Sequence, residues 1–425
     1  MAKNYDFDYI VIGSGPAGRT VATELGKAKK KVAIVEYQDF GGAEITSRDL
    51  PYEISLDFAN NYHCFTSSPA VNKNSCHFNF PTLLTHTDSI IADVQKRHTV
   101  ALEKLGVKLI KGFAHFLDNH TIAVEDHKLT AKYFILATGS ILKATEIAGL
   151  DHVKFLEPNT AFRTRRLPKF VFVIGGGPTG VEIAEYYASL GTGVIIMERG
   201  VHLLPREDDE VGEIISNYLE KELGVTIITN AKVTAITEDY TSKIVVFTNG
   251  SSEKMVRVDT IALATGSEPF LDYSLENAGI DYNNAGIIVD KYFNTTARNI
   301  FAIGDCIGDK DSSTERSRLQ ARILAENLLH RQKFTADYSP IPRLINTRPA
   351  IAVLGLNERD IISRDIKYHK NLTYLRDIPS LAYSESANLG GFIKVLTDNK
   401  KRFLGATIVA SDIALAIELR RLLSK

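Results

Sequence analysis

Cysteine is scarce in this chain: among 425 residues, only Cys64, Cys76 and Cys306 carry a thiol. No two of them form a CxxC pair or a spacing typical of metal ligands, and three thiols do not make a disulfide framework. This usage argues against a disulfide-stapled fold and against a cysteine metal site. We therefore predict no metal centre and a reducing compartment.

Long apolar runs and blocks of like charge are also absent. No run of about 18 apolar residues occurs, and the N-terminal MAKNYDFDYIVIG enters a strand pattern without the regions of a secretory signal. Lys and Arg (50) nearly equal Asp and Glu (51), so there is no net attraction to nucleic acid or anionic lipid. We expect a cytoplasmic protein without a transmembrane segment, whose partners are small molecules or ordinary proteins.

The start of the chain contains a dinucleotide-binding pattern. Residues 7–36, FDYIVIGSGPAGRTVATELGKAKKKVAIVE, read as a strand, a GxGxxG turn, an Ala-rich helix and a second strand ending at Glu36. Gly13 makes the tight turn, Gly15 admits a pyrophosphate, and Gly18 lets helix and strand pack closely. The helix N-terminus faces the phosphates, and Glu36 accepts from a ribose hydroxyl.

The same pattern recurs at residues 170–199, FVFVIGGGPTGVEIAEYYASLGTGVIIMER, where Glu198 is the closing acid. Its glycines are Gly175, Gly177 and Gly180. Glu198 favours NADH, because a carboxylate binds the ribose hydroxyls and repels a 2′-phosphate. Arg199 leaves the choice between NADH and NADPH open, since its guanidinium can bind that phosphate. Two such patterns in a chain of this length predict two bound dinucleotides and two or three domains.

Two further apolar strands end in Ala-Thr-Gly, a turn whose small residues let the backbone pass close to a cofactor. They are YFILATGS (133–140), with Thr138 and Gly139, and TIALATGSEP (260–269), with Thr265 and Gly266. A third strand, in NIFAIGDCIG, precedes Asp305. Taken alone, that segment is typical of an ordinary Gly-Asp turn.

Together these segments resemble the FAD-dependent pyridine nucleotide-disulfide oxidoreductases, with dihydrolipoamide dehydrogenase and mercuric reductase nearest. The similarity continues through YSPIPRLINTRPAIAVLGLNERD and GGFIKVLTDNKKRFLGATIVAS and covers nearly the whole chain. It implies an α/β fold with two Rossmann-like dinucleotide-binding domains and a C-terminal α+β interface domain, in a homodimer. The expected domains are 1–150 with 285–333 for FAD, 151–284 for NAD, and 334–425 for the interface.

The resemblance also assigns binding residues. For FAD it implies Gly13, Gly15, Gly18, Glu36, Gly42, Ala114, Thr138, Gly139 and, at the ribityl chain, Asp305. For NADH it implies Gly175, Gly177, Gly180, Glu198, Thr265 and Gly266. In that family hydride passes from the nicotinamide to flavin N5, and electrons leave from the other flavin face through a disulfide.

The thiols of that disulfide are missing here. The family signature GGxCxxxxCxPxK aligns without a gap with GGAEITSRDLPYE, residues 41–53. Glu44 and Asp49 stand at the two cysteine positions, and Glu53 stands at the lysine position. The segment after Pro51 reads as a helix, which puts Cys64 roughly 16 Å beyond Glu53.

The family's C-terminal His-Pro-Thr-x-x-Glu stretch has no counterpart in the final SDIALAIELRRLLSK. A predicted helix at 410–424 is either a shortened interface helix or a weak membrane-surface helix. The cysteine pair and the C-terminal histidine are thus both missing. No residue is therefore expected to supply a thiolate at the flavin, and disulfide reduction requires one.

Carboxylates replace the thiol machinery as candidate catalytic groups. They are Glu44, Asp49 and Glu53, together with Glu182 on the nicotinamide side. Like charges at close range raise one another's pKa, so one of them could act as a proton donor. Arg48 could offset part of the charge. In the simpler alternative the carboxylates turn to solvent and to Arg48.

Three functions follow from these observations. The first is a diaphorase-like NADH-dependent flavoenzyme that passes electrons to a non-thiol acceptor, such as a quinone, a dye-like molecule, dioxygen or a redox protein. The second is a flavoprotein without turnover that binds or senses NADH. The third is a reductase that uses the thiols of a partner protein. The sequence names neither the acceptor nor the pathway.

Overall fold

A computed structural model describes residues 4–72, 76–309, 311, 313–339, 341–382, 384 and 388–411. The predicted helix at 410–424 lies outside the described residues, apart from its first two positions. The chain divides into two compact units, each discontinuous in sequence. Unit 1 comprises Met1–Pro51, His86–Lys143 and Ser267–Tyr338, and unit 2 comprises Tyr52–Thr85, Ala144–Gly266 and Ser339–Lys425.

Strands and helices are numbered along the chain. The strands are β1 Phe7–Ile12, β2 Val32–Glu36, β3 Lys108–Lys111, β4 Ala114–Asp118, β5 Thr121–Val124, β6 His127–Leu136, β7 Ser140–Leu142, β8 Phe170–Ile174, β9 Gly193–Met197, β10 Thr226–Ile228, β11 Ala231–Glu238, β12 Lys243–Asn249, β13 Ser252–Val258, β14 Thr260–Leu263, β15 Ser267–Pro269, β16 Tyr282–Asn283, β17 Gly286–Ile287, β18 Ile300–Ala302, β19 Arg343–Ile345, β20 Ala350–Gly355, β21 Tyr368–Tyr374, β22 Phe392–Asp398 and β23 Phe403–Ala410. The helices are α1 Pro16–Lys27, α2 Gly42–Thr46, α3 Asp49–Ser67, α4 Phe80–Lys104, α5 Pro178–Ser189, α6 Asp209–Lys221, α7 Thr314–His330 and α8 Glu358–Ser363.

Unit 1 is built on a seven-stranded sheet of order β3-β2-β1-β6-β5-β4, with β18 also paired to β6. Strands β3, β2, β1, β6 and β18 run parallel, and β5 and β4 continue from β6 as an antiparallel meander. The strand β2, VAIVE, is buried along its whole length, as continuous apolar runs are in parallel sheets covered on both faces. Helices α1 and α7 pack against each other.

Unit 2 contains a parallel sheet of order β10-β9-β8-β14. An antiparallel sheet β11-β12-β13 and a five-stranded antiparallel sheet β19-β20-β23-β22-β21 complete it. The second fingerprint occupies β8, α5 and β9, just as the first occupies β1, α1 and β2. In both parallel sheets the first fingerprint strand has the second strand on one side and the Ala-Thr-Gly strand on the other.

This strand order places a topological switch point at each fingerprint. Ligands of open parallel sheets bind beyond the carboxyl ends of the strands at such a point. The predicted α/β fold with two dinucleotide-binding folds is confirmed. The boundaries of the three predicted domains stay a prediction. Within the described part of the chain, no helix is both long and apolar enough to cross a bilayer.

Candidate functional site

A cavity in unit 1 opens beyond the carboxyl ends of β1, β2 and β6. Its lining comes from the β1–α1 turn, the start of α2, the turn after β6 and the segment after β18. The residues that sequence analysis assigns to FAD or catalysis and that line the cavity are Gly13, Gly15, Glu36, Gly42, Glu44, Ala114, Thr138, Gly139 and Asp305. The fold thus brings together residues that lie almost 300 positions apart in the sequence.

The fingerprint glycines of unit 1 fall into two groups. Gly13 has φ +101°, and a Cβ there would lie 2.2 Å from the Ala137 carbonyl oxygen, while a Cβ on Gly18 would lie 2.0 Å from the Gly13 oxygen. These two are required by the protein's own packing. Gly15 has an ordinary φ of −63°, and a Cβ there would meet nothing within 4 Å. The protein itself therefore does not exclude a side chain at Gly15, and the predicted reason for glycine there is the close approach of a ligand in the cavity.

Glu36 is fixed beside the β1–α1 turn. Its Oε2 accepts from the backbone N–H and the hydroxyl of Ser14, both at 2.8 Å, and its Oε1 accepts from Gln38 N at 2.9 Å. The Ser14 hydroxyl in turn accepts from Gly41 N at 2.9 Å. A carboxylate oxygen has two lone pairs, so Oε1 of Glu36 can accept a further hydrogen bond. Sequence reasoning missed Ser14, because the second position of GxGxxG carries no residue preference.

Asp305 and the turn after β6 also line the cavity. The Ser140 hydroxyl donates to Asp305 Oδ2 at 2.9 Å, and the Thr138 hydroxyl donates to the Phe270 carbonyl at 2.9 Å. An open space at Gly15, an oriented acid at Glu36 and a second acid at Asp305 in the same cavity fit an FAD molecule. Their individual roles in binding stay predictions.

Unit 2 repeats the first fingerprint at the level of single hydrogen bonds. Glu198 Oε2 accepts from Gly176 N at 2.7 Å, and Oε1 accepts from Gly200 N at 2.7 Å. These donors stand at the same sequence offsets as Ser14 and Gln38 do from Glu36. A Cβ on Gly180 would lie 1.8 Å from the Gly175 oxygen, whereas one on Gly177 would meet nothing within 4 Å. The same reasoning therefore indicates a dinucleotide here.

The Ala-Thr-Gly turn of unit 2 lies beside a second threonine. The Thr265 and Thr145 hydroxyl oxygens are 2.9 Å apart, and Gly266 has φ +97°. A positive φ of this size is rare for residues with a side chain. The predicted residues Thr265 and Gly266 thus form a fixed turn at the carboxyl end of β14.

The carboxylates at the two cysteine positions are paired with arginines. Glu44 binds the guanidinium groups of both Arg19 and Arg318. Asp49 accepts from Arg48 Nε at 3.0 Å and from the Thr314 hydroxyl at 2.7 Å. The alternative in which the carboxylates turn to solvent and to Arg48 is wrong for Glu44, whose side chain is only 14% exposed, whereas Asp49 does contact Arg48. The cationic partners of Glu44 come from α1 and α7, which no local sequence pattern connects to it.

In unit 2, Glu182 and Glu185 on α5 bind the loop before β20. Glu182 Oε1 accepts from Asn346 N at 3.1 Å, and Glu185 Oε2 accepts from Arg348 N at 3.1 Å. Tyr52 donates to the Asn346 carbonyl at 3.0 Å. Burial raises the pKa of the fully buried Glu185 to about 8, and the Glu182 charge adds to this, against the Arg348 N–H and Asn60, which lower it.

Sequence reasoning missed Glu185, although a charged residue within the apolar stretch GVEIAEYYAS was a usable signal.

The other predicted carboxylate of unit 2, Glu53, lies near the start of α3. The predicted helix after Pro51 is present, and Cys64 lies on it, 11 residues beyond Glu53.

Cys306 follows Asp305 and is buried. Its thiol lies 3.2 Å from the Ile303 carbonyl oxygen, and burial raises the pKa of Cys306 to about 11. The thiol is therefore neutral at physiological pH and behaves as a small core residue.

One acidic cluster in the described residues has the spacing of a cation site: Asp208, Glu210 and Glu358. Lys394 supplies its positive charge, with Nζ at 2.7 Å from Asp208 and 3.1 Å from each of the other two. Burial lowers the pKa of Lys394, but the carboxylates outweigh it and leave that pKa raised. The cluster is a partly buried ion-pair network around a buried lysine.

The sequence pattern of the family described as Pyridine nucleotide-disulphide oxidoreductase matches residues 7–325. The chain belongs to this family. It is therefore a flavoprotein oxidoreductase of an FAD-dependent family that uses NAD(P)H.

Relatives in this family include enzymes of different activities. Over 96% of its length the chain is 26% identical to a mercuric reductase of Bacillus cereus, of which it spans 65%. It is 27% identical to a dihydrolipoyl dehydrogenase of Bacillus subtilis, over 97% of this chain and 90% of the relative. It is also 27% identical to a soluble pyridine nucleotide transhydrogenase of Colwellia psychrerythraea, over 99% of this chain and 91% of the relative.

A solved structure has the same fold. The Cu(II) complex of the HOCl-induced flavoprotein disulfide reductase RclA from Escherichia coli superposes with a TM-score of 0.87 at 26% identity, over 99% of this chain and 93% of that one. The cavity described above therefore belongs to a flavoprotein disulfide reductase fold in which the two cysteine positions of the family signature are acidic.

Proposed function

We propose that the chain is an FAD-dependent NADH oxidoreductase whose flavin passes electrons directly to a non-thiol acceptor. The observation that carries this proposal is the pair Glu44 and Asp49 at the signature's cysteine positions, both in ion pairs. Disulfide reduction requires a thiolate, and neither side chain can form one. A cytoplasmic location remains part of the proposal, supported by the cysteine usage.

The chain's own residues would bind and orient the two cofactors. The β1–α1 turn around Gly15 would hold the pyrophosphate of FAD, Glu36 its adenosine ribose and Asp305 its ribityl chain. FAD, when bound, supplies the hydride-accepting ring. Glu198 would hold the NADH ribose, and its charge would disfavour the 2′-phosphate of NADPH.

An anaerobic titration of the purified yellow protein with NADH tests the proposal. With no thiol store, flavin reduction should be complete at one NADH per FAD, without the long-wavelength band of a thiolate beside oxidised flavin. A quinone, a dye or dioxygen that is added afterwards should then reoxidise the flavin. Uptake of two NADH per FAD by the native protein would contradict the proposal, because it would reveal a second electron store.

The double variant Glu44→Cys/Asp49→Cys is the matched comparison, since it restores the signature thiols on the same backbone. Its uptake should approach two NADH per FAD.

Failure of NADH to bleach the native flavin would support the NADH-binding alternative. Turnover only after a thiol protein is added would support the partner-dependent reductase.

Pyridine nucleotide transhydrogenation is a second candidate. It is favoured by the 27% identity over 99% of the chain to a transhydrogenase and by the acidic residues at the thiol positions, since hydride can pass from one nucleotide to another through the flavin alone. Anaerobic incubation with NADH and thio-NADP⁺ tests it. Formation of reduced thio-NADP⁺ at a rate matching flavin turnover would make the second nucleotide the acceptor.

A further inference from the structure

We propose that Arg19 and Arg318 are positioning residues that hold the Glu44 carboxylate at the wall of the FAD cavity. We call these three side chains the Glu44 clamp. This inference deepens the proposed function, and it rests on the proposed FAD site but not on the identity of the electron acceptor.

The clamp joins three helices of unit 1. Glu44 belongs to α2, Arg19 to α1 and Arg318 to α7. Arg19 binds Glu44 Oε2 and Arg318 binds Oε1, so each carboxylate oxygen has one guanidinium partner. The second amino group of Arg318 pairs with Glu315. Two fixed donors on opposite oxygens restrict the carboxylate to one orientation.

Arg19 depends on Glu44 for charge compensation. The residue is only 8% exposed, and its Nε and Nη1 atoms have no hydrogen-bond partner among the described residues. Burial lowers the pKa of Arg19, Arg318 lowers it further, and Glu44 opposes both. Removing one partner of a buried ion pair leaves an uncompensated charge, which is strongly destabilising. The Arg19–Glu44 pair is therefore energetically coupled.

The position of Glu44 relative to the cavity gives the clamp a function. Glu44 lines the cavity, whereas Arg19 and Arg318 are not among its lining residues. Helix α2 has only five residues and starts at Gly42, and Gly41 and Gly42 have φ angles of +123° and +64°. So short a helix does not fix a side chain by itself. The two arginines thus fix the position of the negative charge that Glu44 carries at the first cysteine position of the family signature.

The midpoint potential of the flavin depends on how close the negative charge of Glu44 lies, so it reports the position of that charge. It can be determined against a reference dye during slow reduction by xanthine and xanthine oxidase, so neither NADH nor an acceptor is needed. Glu44→Gln should raise the potential, because a negative charge near the flavin disfavours its reduced form. Arg19→Met should lower it, because the charge of Glu44 is then less compensated.

The double variant decides between positioning and a direct effect of the arginine. If Arg19 acts through Glu44, Arg19→Met should change the potential in the native background and leave it nearly unchanged in Glu44→Gln. Equal shifts in both backgrounds would overturn the proposal. Arg318→Met, at a side chain that is 30% exposed, repeats the test with less risk to folding. Arg97→Met is the control, since Arg97 pairs with Asp93 and is 69% exposed.

Thermal melts of the same variants without FAD give a second readout. Arg19→Met and Glu44→Gln should each lower Tm by a few degrees, and the double variant should lose less than the sum. Additive losses would show that the clamp does not exist. If no variant and not even the native chain retains FAD, the proposed function fails, while these melts still test the clamp.

Discussion

Gly15 and Gly177 differ from the other fingerprint glycines in what a side chain there would meet. Neither has a positive φ, and the space beyond each Cα is open. Gly15→Val should therefore fold but yield colourless protein, because the isopropyl group would occupy the place of the FAD pyrophosphate. Absorbance of the purified protein at flavin wavelengths checks this.

Gly177→Val is the matched control for that experiment, because it makes the same change in the second fingerprint. It should keep its yellow colour and lose reduction by NADH. A Gly15→Val protein at full FAD occupancy would mean that the first fingerprint is misassigned.

Glu198 should determine the coenzyme preference. Its carboxylate is oriented by Gly176 N and Gly200 N, so a 2′-phosphate at the ribose would meet a fixed negative charge. We expect NADH to reduce the flavin at least about tenfold more efficiently than NADPH, which corresponds to ~1.4 kcal/mol. Glu198→Ala should narrow this ratio in stopped-flow reduction, and the exposed Glu222→Ala should not. Equal rates in the native protein would refute the assignment.

At the scale of single elements, α5 carries a titratable group in its buried face. Unfolded Glu185 ionises near its ordinary pKa of 4.5, whereas the folded pKa is about 8. Between these values the folded state binds more protons, so stability falls as pH rises, by at most about 1.4 kcal/mol per pH unit. Glu185→Gln, which resembles the protonated acid, should show a smaller loss of Tm between pH 5 and 8.

Exposed Glu220→Gln on α6 is the control for this pH dependence and should follow the native curve. A native Tm that does not fall relative to Glu185→Gln across this range would show that Glu185 is ionised in the fold.

The elements that the sequence predicted are those with local patterns. Glycines at GxGxxG spacing and an acid 22 residues after the second position were sufficient for both β-α-β units, because backbone sterics act over a few residues. The partners of Glu44 could not be found in this way. Arg318 lies 274 residues from it, and only the packing of α1 on α7 brings the two cations together. The order of parallel strands likewise depends on tertiary pairing that no short pattern encodes.

For the whole molecule we propose a homodimer. The sheet β19-β20-β23-β22-β21 lies in the region expected to form the interface, and unit 2 exposes the large apolar side chains Leu344, Ile362 and Phe403. Apolar groups that remain exposed in one chain are often covered by another. Light scattering at micromolar concentration should give twice the 47.0 kDa mass of one chain. A mass of one chain would contradict the proposal.

The burial of Cys306 has a consequence for chemical inactivation. Alkylating reagents attack thiolates, and a buried thiol with a pKa of about 11 offers almost none. Iodoacetamide should therefore leave the NADH-driven bleaching of the flavin intact, even when the protein is first reduced. The Glu44→Cys/Asp49→Cys variant should become susceptible only after reduction, when its new sulfur pair opens. Loss of NADH-driven bleaching in the alkylated native protein would show that a thiol takes part in flavin reduction.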